Sequence, residues 1–256
     1  MRINNFSWMA SRWVFVLAVS VLSGPPRENL VPVRWAEGTV HGFLELRSQA
    51  GELLARGDLL QVPRDSDVES RLVFHFADSS EFRETVTFTQ HQVFRLERYQ
   101  LLQRGKAFAA DLDVTLSRSG DYEVKTRSHK DGKEERDTGK LDLPADAYNG
   151  LIPVIGKDID RKTGQTVHIV AFTPKPMVIP LQFVPSETTP GVVQFTLKPK
   201  LNVLQRVGAA LTRRTPPDSH LWIVTAEVPA FVRFEGPMYS GPVWRVEQTG
   251  PRFASK

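Results

Sequence analysis

The sequence predicts a mainly β protein: one antiparallel domain of about fourteen strands, curled into a half-barrel or packed as two layers, with a signal helix and one or two short helices. Apolar and polar residues alternate with period two through most of the chain, as in Leu112, Val114 and Leu116. Turn residues such as Asp131-Gly132 separate these stretches at roughly 8–12-residue intervals, which is typical of sandwiches and barrels. Long amphipathic helices between the strands, which a parallel α/β fold requires, are missing from the pattern.

Each predicted strand has one apolar face, which favours an antiparallel sheet with one packed side and one wet side. The predicted strands lie at residues 38–47, 53–62, 69–77, 81–89, 91–103, 108–117, 121–129, 134–142, 166–174, 177–185, 191–199, 220–227, 229–236 and 243–249.

The first residues have the pattern of a secretory signal. Arg2 and Arg12 precede an apolar run at residues 13–22, and the small residues Ser23 and Gly24 follow it. A bilayer span needs about 20 apolar residues, so this run is short for a membrane helix. We expect a signal peptide at residues 1–23, a linker at 24–36, the β domain at 37–250 and a tail at 251–256. An uncleaved anchor and a buried helix of a cytosolic domain are the alternatives.

Composition excludes several classes of function. The 256 residues contain no cysteine, so disulfides, thiolate metal sites and cysteine nucleophiles are excluded. The net charge of +4 comes from 33 positive and 29 negative residues that are mixed along the chain, which is unlike a nucleic-acid-binding surface. No segment after the first 23 residues is long and apolar enough to span a membrane. We therefore expect a soluble mature protein, periplasmic or secreted, in a bacterial envelope.

Two segments interrupt the β pattern. Residues 143–156 are compatible with a short helix opened by Pro144 and broken near Gly150 and Pro153. Residues 201–211 are apolar with near-helical spacing, and Arg213 and Arg214 follow them. A long apolar interruption between two strands is typical of a lid or a docking element.

The titratable residues do not form a recognisable catalytic or metal-binding motif. The six histidines lack the HxxxH and HExxH spacings of metal sites, and calcium-loop spacing is also missing. Asp111 and Asp113 share one strand face, as paired carboxylates of a glycoside hydrolase would. They lie opposite the apolar Leu112 and Val114, however, which favours an ordinary solvated face. We expect no catalytic residues, no metal and no cofactor. A hydrolase whose active site is built from residues distant in sequence is an alternative to this expectation.

Seven stretches of the sequence carry a resemblance: SRLVFHF (70–76), KDGKE (130–134), LDLPAD (141–146), YNGL (148–151), AFTPKP (171–176), PPDSHLW (216–222) and VPAFVRFEGP (228–237). Together they resemble a family of uncharacterised exported bacterial proteins known as a domain of unknown function. The resemblance covers about residues 38–250 and implies an exported antiparallel β protein, without implying catalytic residues. A weaker, architectural likeness is to the curled half-barrels of periplasmic lipoprotein and lipid carriers.

These observations predict a non-enzymatic exported protein that binds a lipid-like apolar or amphipathic ligand in the curled sheet. Residues 201–211 would gate the site. Arg213 and Arg214 would form a basic rim that suits an acidic headgroup. The alternative is an envelope adaptor that binds a protein partner through an exposed sheet edge or the same apolar segment. The predicted ligand-binding residues are Leu204, Val207, Leu211, Arg213, Arg214, Trp222 and Trp244.

Overall fold

The computed structural model describes residues 29–172, 175–200, 217–238 and 241–249. Within these residues the chain forms fourteen antiparallel strands and one four-residue helix, which confirms the predicted strand number and direction. The strands are β1 (Val40–Ser48), β2 (Leu53–Arg64), β3 (Asp67–Phe76), β4 (Glu81–Gln90), β5 (Phe94–Arg104), β6 (Ala110–Ser117), β7 (Asp121–Ser128), β8 (Glu134–Lys140), β9 (Gln165–Ala171), β10 (Met177–Thr189), β11 (Val192–Pro199), β12 (Ser219–Val224), β13 (Ala230–Pro237) and β14 (Val243–Gln248).

All fourteen strands belong to one unclosed sheet with two arms. Strands β1 to β8 follow one another along one arm, and strands β14 to β9 follow one another along the other. The arms join where β1 pairs with β14, with Leu46 opposite Val246. The first and last strands of the domain therefore lie at the centre of the sheet, and β8 and β9 form its edges.

The sheet curls back on itself. The rings of Tyr99 on β5 and Phe172 after β9 stack with centroids 5.9 Å apart. In a flat sheet the ten intervals between β5 and β9 would span about 48 Å, because neighbouring strands lie about 4.8 Å apart. One apolar face is thus turned inward, and the buried side chains of both arms form one continuous core.

The connection between β8 and β9, residues 141–164, fills part of this concave interior. Tyr148, Leu151 and Ile155 in the connection are fully buried. A side chain at Gly150 would meet Tyr99 on one arm, and a side chain at Gly156 would clash with Leu221 on the other. The connection is therefore packed between the two arms. The helix predicted within residues 143–156 is only the turn α1 (Ile152–Ile155), with Pro153 in its first turn.

The buried hydroxyl of Tyr148 links three parts of the chain. It accepts a hydrogen bond from the Val31 amide (3.0 Å) and donates one to the Phe94 carbonyl at the start of β5 (3.1 Å). The Tyr148 amide donates to the His168 carbonyl on β9 (2.9 Å). Burial raises the pKa of the Tyr148 phenol to about 12, so the hydroxyl keeps its proton for the bond to Phe94.

A buried carboxylate fixes the segment that leads into β1. Asp158 Oδ1, just after α1, accepts hydrogen bonds from the amides of Arg34 (2.6 Å) and Trp35 (2.9 Å). Beside it, Glu37 is buried between the Gln61 amide (2.7 Å) and the Lys157 ammonium. These polar contacts hold the entry to β1 against the β8–β9 connection.

The two sheet edges are protected in different ways. Ala147 forms a parallel bridge with His168 on β9, and the Asn149 side chain both donates to the Val170 carbonyl (2.9 Å) and accepts from its amide (2.8 Å). The β8–β9 connection thereby caps the β9 edge. On the other edge, all seven residues of β8 are exposed and most are charged, which disfavours pairing with another strand.

Replacing Tyr148 with phenylalanine should destabilise the protein by about 1–3 kcal/mol, because the Val31 amide and the Phe94 carbonyl lose a buried partner. Tyr122→Phe is the matched control, since its hydroxyl meets Asp137 on the exposed strand β8; we expect a loss of about 1 kcal/mol or less. Urea unfolding midpoints measure both. Equal losses would contradict a special role for the Tyr148 hydroxyl.

Candidate functional site

A carboxylate lies on the apolar inner face of the sheet. Glu84 is on β4 between Phe82 and Val86, and the side chains of both neighbours are buried in the core. Its cross-strand partners are Leu72 on β3 and Leu101 on β5. Directly opposite residues in an antiparallel sheet point to the same face, so the Glu84 carboxyl has apolar neighbours on all four sides within the sheet.

The Tyr99 hydroxyl donates a hydrogen bond to Glu84 Oε1 over 2.8 Å. Within the part of the chain that the structure describes, this is the one hydrogen bond that Glu84 makes, so Oε2 is left for another partner. Burial raises the pKa of Glu84 from its ordinary value of 4.5 to about 7, although the bond from Tyr99 acts in the opposite direction. At neutral pH the carboxyl can therefore either accept or donate a hydrogen bond.

Glu84 belongs to a row of side chains that solvent reaches. Leu59, Leu72 and Glu84 lie side by side on β2, β3 and β4, and each is only half-buried. We refer to these three residues as the Glu84 row.

The side chains in the rows on both sides of the Glu84 row are buried. On one side lie Gln61, Ser70 and Val86, and on the other Phe74 and Phe82, all of them buried. The inner face is therefore less completely buried at the Glu84 row than at the rows on either side of it. An apolar lining with one polar group is the arrangement of a site for an amphipathic small molecule.

Five of the seven predicted ligand-binding residues lie outside the described residues: Leu204, Val207, Leu211, Arg213 and Arg214. The predicted gate at residues 201–211 and the predicted signal at residues 1–23 also lie outside them.

The other two predicted residues, Trp222 and Trp244, point to opposite faces of the sheet. Trp244 on β14 is buried on the inner face, where its ring lies 5.8 Å from Phe76 and 6.0 Å from Phe108. Trp222 on β12 alternates with the buried Leu221 and is half-buried on the outer face. The described structure therefore does not bring these two side chains together in one pocket.

Trp222 instead borders a ladder of ion pairs on the outer face. The Arg233 guanidinium lies 4.6 Å from the centre of the Trp222 ring and pairs with Glu235. Arg245 Nε donates to the same Glu235 carboxylate over 2.8 Å. Burial alone would raise the pKa of Glu235, but the hydrogen bonds from Arg233 and Arg245 hold it below its usual range. This ladder crosses β13 and β14, next to the junction of the two arms.

The Asp111 and Asp113 pair is held by structural contacts. Asp111 Oδ1 accepts from the Gly105 amide (2.9 Å) and contacts His129 Nε2 (2.8 Å). Burial tends to raise the pKa of Asp111, but these two partners bring it below the ordinary value, which is the wrong direction for a general acid. Asp113 lies 4.0 Å from Arg104.

Two structural features are absent from the described residues. No group of three or more histidine, aspartate or glutamate side chains is placed to hold a metal ion there. No helix among those residues is long and apolar enough to cross a membrane.

Sequence reasoning missed Glu84, although the sequence contains its signal. The residues Phe82, Glu84, Val86 and Phe88 occupy successive inward positions of one strand, and only the glutamate breaks the apolar series. A lone carboxylate in the apolar register of a strand is the pattern that would have identified it. The hydrogen bond from Tyr99 is set by the pairing of β4 with β5, and the alternation pattern does not specify that register.

A comparison of the chain with known protein families, curated proteins and solved structures finds no match.

The raised pKa of Glu84 predicts that stability falls as pH rises from about 4.5 to about 7, because the unfolded state releases this proton first. Glutamine mimics the neutral acid, so the stability advantage of Glu84→Gln over the native protein should grow across this window and level off above pH 7. Urea unfolding at pH 5, 6, 7 and 8 measures it. Glu69→Gln, at a more exposed glutamate on β3, should show a small difference at every pH. A constant difference for Glu84→Gln would contradict the prediction.

Proposed function

We propose that this protein is a non-enzymatic binding protein of the bacterial envelope, exported by a signal at residues 1–23, that takes up an apolar or amphipathic, lipid-like ligand in its curled sheet. The Glu84 row is the observation that supports the proposal. Leu59 and Leu72 offer an apolar surface to the ligand, and Glu84 offers one polar contact beside it.

The energetic cost of Glu84 supports a ligand that carries a polar group. A carboxyl in apolar surroundings destabilises the folded protein unless its hydrogen-bonding capacity is satisfied. Tyr99 satisfies Oε1, and a ligand with a hydroxyl, amide or amine donor would satisfy Oε2. A purely hydrocarbon ligand would leave that oxygen without a partner. We therefore favour an amphiphile whose polar group donates a hydrogen bond.

The alternative function, an adaptor that pairs through a sheet edge, has less support. The β9 edge is already covered by Ala147 and Asn149, and β8 presents charged residues at most positions. Charged edge strands oppose the addition of a further strand.

The first experiment is native mass spectrometry of the full chain, purified without detergent, followed by organic extraction. We expect a stoichiometric amphiphile with a hydrogen-bond donor. The stripped protein is then titrated with N-phenyl-1-naphthylamine, an apolar fluorescent probe with one N–H donor, which should bind in competition with the extracted ligand. A protein that carries no ligand and does not bind this probe would overturn the proposal.

Two adjacent leucines provide a matched pair of variants. Leu59 faces inward in the Glu84 row, whereas Leu60 pairs with His41 and Arg71 on the outer face. Leu59→Glu should weaken probe binding by about tenfold or more, because a charge would replace part of the apolar lining, and Leu60→Glu should leave it unchanged. Leu72→Ser is a milder second variant should Leu59→Glu fail to fold. Equal effects at positions 59 and 60 would place the probe elsewhere.

A further inference from the structure

A pocket separate from the Glu84 row lies where the β8–β9 connection meets β5. It has a volume of about 190 Å³. Its lining combines two arginines with apolar residues of the strand and the connection: Arg95, Leu96, Arg118, Leu143, Pro144, Ala145 and Ala147.

The two arginines differ in their partners. Arg118 Nη1 donates to Glu97 Oε1 over 2.7 Å, so its charge is already balanced. Arg95 is half-buried, and within the described residues its guanidinium makes neither a hydrogen bond nor an ion pair. A guanidinium carries five N–H donors in a planar fork that matches a carboxylate. Arg95 therefore leaves an unused, positively charged donor set at the wall of this pocket.

Two acids near the pocket are occupied elsewhere. Glu97 is paired with Arg118, and the buried Asp146, which lies between two lining residues, turns its carboxylate to His168 Nδ1 at 2.7 Å. The positive charge of Arg95 also lowers the pKa of the nearby Tyr148 phenol, although burial of that phenol dominates. The lining thus presents the unpaired positive charge of Arg95 beside apolar side chains.

We propose that this pocket binds a small organic carboxylate, with the carboxylate on Arg95 and its apolar part against Leu96, Leu143 and Pro144. A cavity of about 150 Å³ is large enough for benzene, so this pocket accommodates a carboxylate about the size of benzoate. The site does not depend on the proposed lipid-like ligand, because it uses none of the residues of the Glu84 row.

The test is a titration of the isotope-labelled full chain with sodium benzoate, followed by amide NMR. We expect shifts centred on Leu96 and Ala147, with a Kd on the order of 1 mM for a ligand of this size. Benzyl alcohol, a neutral analogue, should bind at least tenfold more weakly because it lacks the charge. Inorganic phosphate should also bind at least tenfold more weakly because it lacks the apolar part.

Three outcomes of this titration would overturn the proposal. Equal binding of benzyl alcohol would show a merely apolar crevice, and equal binding of phosphate would show a simple anion site. Shifts that are centred on residues outside the pocket would place the benzoate site elsewhere.

Three variants test whether Arg95 supplies the positive charge that binds benzoate. Arg95→Gln should weaken benzoate binding about tenfold or more, since it removes a charge-assisted hydrogen bond. Arg95→Lys should recover part of the loss, because it restores the charge without the fork. Arg98→Gln, at an exposed arginine on the same strand outside the lining, should leave binding unchanged. Comparable weakening by Arg98→Gln would mean that general surface charge explains the binding, and the assigned site would be wrong.

Discussion

The fold depends on burying one apolar face of a fourteen-stranded sheet whose two edge strands do not pair with each other. Curling brings the arms together, as the stacked rings of Tyr99 and Phe172 show. The curled sheet still needs material to fill its interior and to cover the β9 edge, and the β8–β9 connection supplies both. Tyr148 is central to this arrangement, because its buried hydroxyl and amide fix the connection to β5, to β9 and to the strand-like segment at Val31.

Glu84 lowers the stability of the folded protein, because its carboxyl lies in an apolar interior, and the packing of that interior does not explain why an acid is present. A leucine at the same position would satisfy the apolar register of β4 and would avoid the desolvation of a carboxyl. The protein retains an acid there, which is bonded to Tyr99 and half-buried between two rows of buried side chains. Groups that reduce stability at one accessible position of an otherwise consistent core are typical of binding sites. The row is therefore more informative about function than the buried aromatic residues around it.

Period-two alternation and turn residues predicted the fourteen strands. Most strands bury one face, which the local pattern determines, although β8 is exposed along its whole length. The same pattern did not predict that β1 pairs with β14, since strands some two hundred residues apart meet only through the curl of the whole sheet. Nor did it place Trp222 outside and Trp244 inside: both are aromatic, and Arg233 gives Trp222 a cation–π contact on the wet face. The type of a residue indicates whether it tends to be buried, whereas the register of its strand decides whether that particular side chain points into the core.

The two candidate sites share one structural element, although they use different residues. Residues between Leu143 and Ala147 line the pocket beside Arg95. A few residues later, Gly150 packs against Tyr99, the hydrogen-bond partner of Glu84. The left-handed backbone at Gly150, with φ of 72°, permits this close approach. A substitution within the β8–β9 connection would therefore disturb both sites through the backbone. Substitutions of Arg95 and Glu84 change single titratable groups on separate strands, so they are the changes that can separate the two proposed binding functions.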